Sequence, residues 1–227
     1  MFVKDWMSTE PLALDVDDTV ERAIHLFMER NPSLLPVVSE GKLVGIITPR
    51  DLRRSVLSEE SWVDPQTISE QTSQLRVEAV MNRTPVAVPP DYTVEETSEL
   101  LLERRIPGCP VLDSKGRLVG IITKRDLLRA FTLSSSIRNL GILFGFLVED
   151  REDCIKALLS IFRKHDARLV AIMSSYANAP EGFRHVYIRV FHVDRRRMPE
   201  LQRELRDTAK MLFMVDRKEG TRELFTS

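Results

Sequence analysis

The sequence predicts an α+β protein: two copies of a β-α-β-β-α unit over 1–57 and 77–132, then a β-α-β-β-α-β domain over 139–227. Three observations carry this. A heptapeptide occurs twice, GIITPRD at Gly45–Asp51 and GIITKRD at Gly120–Asp126. The residues around it repeat in step: Met7 and Met81, Pro11 and Pro85, and Pro36 and Pro110 are each 74 apart, while Gly45/Gly120 and Asp51/Asp126 are 75 apart. One residue inserted in a turn explains the change of offset. From about 139 the repeat ends and a different alternation of apolar runs begins.

A chain of 227 residues has room for two domains, and its 43% hydrophobic and 30% charged residues are those of a globular protein. A formal net charge of −1 gives no global reason to expect nucleic-acid or membrane binding. Cys109 and Cys154 are far apart and form no C-x-x-C pair, which suits a reduced compartment and argues against a thiolate metal site. The first residues include Asp5 and no apolar core of the secretory type, and no apolar run approaches a membrane span. A cytoplasmic location is therefore expected.

Each copy begins with a short amphipathic turn (Val3, Trp6, Met7; Val77, Val80, Met81) and a strand marked by proline, Leu12–Val16 and Val86–Val88. The first helix follows. Val20, Ala23, Ile24, Phe27 and Met28 lie at i, i+3, i+4, i+7 and i+8, and Val94, Thr97, Ser98, Leu101 and Leu102 take the same places. Thr93 with Glu96 forms a capping box; Thr19 can cap the first copy, but Arg22 cannot complete the box. A strand (Leu35–Val38; Cys109–Leu112), a glycine turn and a second strand (Leu43–Thr48; Leu118–Thr123) make a hairpin, and the second helix starts after each threonine. Neither copy has enough apolar surface to stand alone, so the two are expected to pack together. The polar stretch 58–76 reads as a linker.

In the remainder, Leu140–Val148, Leu169–Met173, Val186–Val193 and Met211–Val215 read as strands. Ile155, Leu158, Leu159 and Phe162 trace one helix face, and Met198, Leu201, Leu205 and Thr208 trace another, with Pro199 suited to a first turn. This order places two helices on one face of an antiparallel sheet and leaves the other face to be covered.

The repeated unit (Met-x-x-x-Pro, helix, Pro-Val strand, glycine turn, then G-I-I-T-x-x-D) resembles tandem CBS domains, the modules named for cystathionine β-synthase. The tail resembles a ferredoxin-like ACT domain, and the combination resembles acetoin-utilisation-type CBS–ACT proteins. The resemblance implies a regulatory protein, not an enzyme. It implies clefts between the copies for AMP, ADP, ATP or S-adenosylmethionine, and an ACT-like domain that serves a homodimer. Carried onto this chain, Thr123 and Asp126 hold one ribose, and Thr48 and Asp51 the other. Thr84, Pro85, Val86, Ile106 and Pro107 line the second adenine slot; Thr9, Pro11, Leu12, Leu34 and Leu35 line the first. Lys124, Arg125, Arg104, Arg105 and Arg50 reach phosphates.

The chemistry also stands on the residues. A vicinal diol offers two donors, an ionised carboxylate accepts them strongly, and the first turn of a helix favours a carboxylate. Asn31 stands where the second copy has Arg105, and Pro49 where it has Lys124, so the second site is the more basic and suits a phosphorylated ligand. Thr-x-x-Asp is also an ordinary helix start. The two roles are compatible, because a carboxylate has two oxygens.

Other candidates read as structural. Arg195–Arg197 reads as a solvated run before a helix, His25 as a buried or rim histidine, and Cys109 as a small core residue. His165, His185 and His192 lack metal-ligand spacing, so no metal is expected. The ACT-like loop Glu149–Asp153 carries four acids and no glycine, which favours a subunit contact over an amino-acid site. The competing readings are a dimerisation protein with empty clefts and an amino-acid sensor. No nucleophile, base and oxyanion stabiliser occur together in the pattern.

Overall fold

The computed structural model describes residues 1–56, 74–136 and 141–225. Most of the linker over 58–76, and Leu140 of the first tail strand, lie outside them. The chain divides into two compact units, Met1–Ala130 and Phe131–Ser227.

In the first unit, β1 (Leu14–Asp15) pairs parallel with β2 (Leu35–Ser39), and β2 pairs antiparallel with β3 (Lys42–Ile47). The second copy has the hairpin β4 (Gly108–Leu112) and β5 (Leu118–Thr123). Its β1 counterpart is a single parallel bridge, Val88 to Val111, in place of the expected strand. The helices are α1 (Val20–Arg30) and α2 (Pro49–Val56) in the first copy, and α3 (Val94–Glu103) and α4 (Lys124–Ser134) in the second. Thr19 caps α1 through the Arg22 N–H, and Thr93 and Glu96 make the full reciprocal box on α3. Val20, Ala23, Ile24 and Phe27 face the core, as do Val94, Thr97 and Leu101. The outermost positions of the expected stripes, Met28 and Leu102, are exposed instead, as is His25. An eighth-position residue has drifted off a stripe with 3.6 residues per turn.

The β4–β5 turn holds the extra residue. The Asp113 carboxylate accepts the Lys115 and Arg117 N–H groups, and Gly116 takes the left-handed conformation at φ 74°. Arg117 also bonds this carboxylate, and together these hydrogen bonds hold it below the ordinary aspartate range.

The copies exchange their leading turns, each turn packing into the core of the other copy. Val3 is fully buried in the core of the second copy, beside Val94, Leu101 and Ile122. Val77 is fully buried in the core of the first, beside Val20, Phe27 and Ile47. The backbone repeats the exchange: Val3 N–H donates to Tyr92, and Val77 N–H donates to Asp18. A third cluster, Leu34, Ile46 and Ile121, joins the two hairpins.

In the second unit the elements run β6 (Ile142–Glu149), α5 (Cys154–Lys164), β7 (Arg168–Ser175), β8 (Phe183–Phe191), α6 (Met198–Thr208), β9 (Lys210–Asp216) and β10 (Thr221–Leu224). The sheet order is β10-β9-β6-β8-β7, with every pair antiparallel. Phe144, Phe146, Leu158, Phe162, Ile188, Leu201 and Leu205 form its core. On the opposite face of the sheet Tyr187 stacks with Phe213, ring centroids 6.1 Å apart. β10 is an additional strand, a hairpin partner of β9 that the short polar stretch after Val215 did not announce. Among the described residues no helix is long and apolar enough to cross a membrane.

Candidate functional site

The two Thr-x-x-Asp segments have the same geometry. Asp126 Oδ2 accepts the Thr123 backbone N–H at 2.9 Å and the Thr123 hydroxyl at 2.5 Å. Asp51 Oδ2 accepts the same groups of Thr48 at 2.8 and 2.6 Å. The reverse contacts, from each Asp N–H to its Thr Oγ1, are long at 3.4 Å. Each carboxylate therefore has one oxygen committed to the strand-to-helix corner. Among the described residues the other oxygen, Oδ1, accepts no hydrogen bond.

This corrects the simplest form of the diol argument. Asp126 does not present two open oxygens. It presents Oδ1, next to a Thr123 hydroxyl whose proton is already given to Oδ2. That hydroxyl can still accept. A Thr and Asp pair so arranged offers two neighbouring acceptors to two hydroxyl donors, and all four side chains (Thr48, Asp51, Thr123, Asp126) are half-buried.

The exchange of leading turns decides what lies around these corners. Ser8 pairs with Ile121 on β5, and Asn82 pairs with Ile46 on β3. Thr84, Pro85 and Val86 therefore lie between a bridge to the first copy's β3 and the Val88 bridge to β4. Thr9, Pro11 and Leu12 lie between the Ser8–Ile121 bridge and β1. Both segments run along the seam of the two copies. Pro107 is drawn to the second corner by the Lys124 N–H, which donates to its carbonyl at 2.9 Å, and Ile106 beside it is half-buried.

The first adenine set differs from its counterpart in the second copy. Leu35 is fully buried in the first copy's core, and Leu34 is 2% exposed between the hairpins. Neither side chain has surface for a ligand. Leu35 pairs with Ile47 as Cys109 pairs with Ile122, so Leu35 matches Cys109. The counterparts of Ile106 and Pro107 are Pro32 and Ser33, and that of Thr84 is Glu10 in place of Thr9. The 74-residue offset already contained this assignment. Pro32 is half-buried, and Ser33 and Glu10 are exposed. Pro49 has no N–H, so the bond from Lys124 to Pro107 has no counterpart in the first copy.

Arg50, Arg104, Arg105, Lys124 and Arg125 are all exposed, and among the described residues none forms an ion pair. Arg105 and Asn31 share a left-handed backbone, φ 53° and 47°, at the ends of α3 and α1. The difference at this position is therefore one of charge rather than of chain path.

Elsewhere, Arg196 and Arg197 are exposed as expected, but Arg195 is only partly solvated. Its guanidinium holds the Asp216 carboxylate, 3% exposed, at 2.8 and 3.1 Å. The acidic loop after β6 borders a cavity of about 450 Å³ lined by Glu149, Glu152, Asp153, Cys154 and Lys210, among others.

A fold with two copies of one α/β unit, trading leading turns and carrying matched Thr-x-x-Asp corners on the seam, defines a tandem module of internally repeated domains. The CBS domain family profile matches residues 3–58 and 77–133. A CBS domain-containing protein of Dictyostelium discoideum is 36% identical over 132 residues, covering 56% of this chain and 89% of that protein. The chain belongs to the CBS domain-containing proteins. It is also similar to inosine-5′-monophosphate dehydrogenase of Methanocaldococcus jannaschii, 37% identical over 128 residues, 56% of this chain and 22% of that enzyme. Among solved structures it resembles a CBS domain pair in complex with 5′-methylthioadenosine and S-adenosyl-L-methionine: 29% identity, 58% of this chain, 95% of that one, TM-score 0.48.

Proposed function

We propose that this chain is a non-catalytic regulatory protein that binds adenine nucleotides, or a related adenosine compound, at the two inter-copy corners. One observation carries the reading. Two half-buried carboxylates, Asp51 and Asp126, each keep one oxygen without a hydrogen bond among the described residues while the other is locked in place. A fixed acceptor beside a fixed hydroxyl suits a ribose diol. Lys124, Arg125, Arg104 and Arg105 make the second corner the one for a phosphorylated ligand. Nucleotide bound on the seam would bias how the copies pack, and a partner would read that difference.

The tail carries a separate part of the proposal, dimerisation. Its β-α-β-β-α-β order is the ferredoxin-like one, and we read it as ACT-type and as a dimerisation domain. The half-buried Tyr187 and Phe213 on the helix-free face, and exposed Leu102 on the paired copies, suit a homodimer.

Isothermal titration with AMP, ATP and S-adenosylmethionine tests the site. Loss of one charge-assisted hydrogen bond costs about 1.5–3 kcal/mol, or roughly 10–100-fold in affinity. Asp126→Asn is expected to weaken AMP or ATP by that factor, and Asp51→Asn to weaken it less. Unchanged affinity in both variants defeats the assignment. Sedimentation of the full chain tests the dimer.

A further inference from the structure

The second unit brings together three ligand-type side chains that are far apart in sequence. His165 caps the C-terminus of α5 and is 4% exposed. Glu200 and Glu204 are one turn apart on α6, so they share a helix face. One ligand atom from each of the three lies within 4.8 Å of the other two. The His165 Nε2 is 3.3 Å from Glu204 Oε1, and Nδ1 meets no partner, so the ring's one polar contact points at this carboxylate.

From this geometry we infer a site for a borderline-soft divalent cation, of the zinc type, held by His165, Glu200 and Glu204. The 3.3 Å contact is long for a hydrogen bond. It matches the edge of a tetrahedral site, since ligand atoms about 2.0–2.2 Å from one zinc ion stand about 3.3–3.5 Å apart. An imidazole with two carboxylates selects zinc-like ions over magnesium or calcium, which take oxygen alone. Three protein ligands leave a fourth position for water or a further donor.

Two cations now neutralise the acids. Lys164 Nζ lies 2.9 Å from both oxygens of Glu204, and Arg197 Nε lies 3.3 Å from Glu200. The Lys164 and Arg197 side chains are 61% and 45% exposed, so both can retreat into water when a dication arrives. The ion would tie the end of α5 to α6 and stiffen the helical layer of the second unit.

The test uses the full chain with zinc chloride, cobalt chloride and magnesium chloride. Expected results are one equivalent of zinc retained after gel filtration, a higher melting temperature with zinc and none with magnesium, and the visible absorption of tetrahedral cobalt. Glu200 is half-exposed, so Glu200→Gln should leave the metal-free melt unchanged while weakening zinc by at least about tenfold. His165→Gln should abolish the cobalt spectrum. The inference is overturned if no zinc is retained, if magnesium acts as zinc does, or if Glu200→Gln and Glu204→Gln both keep wild-type zinc affinity. That last result would place bound zinc on other side chains.

Discussion

Met7 of the first copy lies against Gly120 of the second. A Cβ built on Gly120 would stand 2.7 Å from the Met7 sulfur and 2.6 Å from the Ser8 carbonyl oxygen. Gly45 and Met81 repeat the contact in reverse, with the Met81 sulfur at 2.5 Å and the Asn82 carbonyl at 3.0 Å. The Met-x-x-x-Pro element of one copy thus seats on the Gly-Ile-Ile-Thr element of the other. At Gly120 the obstacle includes backbone fixed by the Ser8–Ile121 hydrogen bonds, 2.9 and 3.1 Å. At Gly45 the nearest obstacle is a flexible thioether. Gly120→Ala should cost about 1–3 kcal/mol, and Gly45→Ala less. Urea midpoints of the two variants check the order, and equal midpoints would contradict it.

The Thr123 hydroxyl is the hinge between stability and the proposed binding. It donates to Asp126 Oδ2 at 2.5 Å, and Thr48 does the same for Asp51. Thr123→Val keeps the shape and removes the donor, so it should cost about 0.5–2 kcal/mol, as a lost cap does. It should also lower nucleotide affinity, because the carboxylate keeps only its backbone anchor and the ligand loses the hydroxyl as an acceptor. Thr123→Ser should restore both. Melting curves and calorimetry on the same preparations separate the effects.

Much of the first unit was legible because its pattern appears twice. Helix starts at Thr19 and Thr93, the hairpins and both Thr-x-x-Asp corners could be cross-checked between copies. The exchange of leading turns was not legible. Val3 and Val77 are apolar residues at matched positions, and periodicity shows that they are buried without showing in which copy. The burial of Leu34 and Leu35 is not legible in the sequence, because an apolar residue before a strand fits a slot or a core equally well. The strand register, Leu35 with Ile47, makes Leu35 the counterpart of Cys109. The Arg195 ion pair is not legible locally because its partner, Asp216, is 21 residues away, on a strand reached only through folding. The His165, Glu200 and Glu204 cluster escaped for the same reason, and no local motif marks it.

If the corners bind nucleotide as proposed, charge exchange between them should move ligand preference. Asn31 and Arg105 share backbone conformation, so Asn31→Arg adds a cation without forcing the chain. Pro49→Lys adds a second cation and restores an N–H. Each exposed charge contributes about 0.2–1 kcal/mol, or roughly 1.5–5-fold in affinity. The double variant should bind AMP more tightly at the first corner, with the gain fading at high salt. A gain that persists in 1 M salt would point to a non-electrostatic cause.

The two cysteines should differ in reactivity. Burial pushes the Cys109 thiol up to about 12, so it stays protonated at neutral pH and its thiolate is scarce. Cys154 is half-buried at the start of α5, and Arg184 Nη2 donates to its sulfur at 3.1 Å. A thiol reagent at pH 7–8 should titrate one thiol in the native protein and two in urea. Cys154→Ser should bring the native count to zero, whereas Cys109→Ser should leave it at one.

The acid stability of the second unit should turn on Asp216. Burial pushes its carboxyl up, but Arg195 and the Glu219 and Lys218 N–H groups outweigh this and hold it below the ordinary range. A carboxyl whose folded value is depressed contributes stability above its unfolded value, about 3.9, and loses it as pH falls through the folded value. Removing one partner of such a charged contact costs about 1.5–3 kcal/mol. Asp216→Asn should therefore lower the stability of the second unit by that amount at pH 7. The deficit should shrink below pH 4 and close once the wild-type carboxyl is also protonated. Hydrogen exchange of the β6 and β9 amides across pH 2–7 reads this directly. A deficit that stays constant down to pH 2 would show that the loss is one of packing and not of charge.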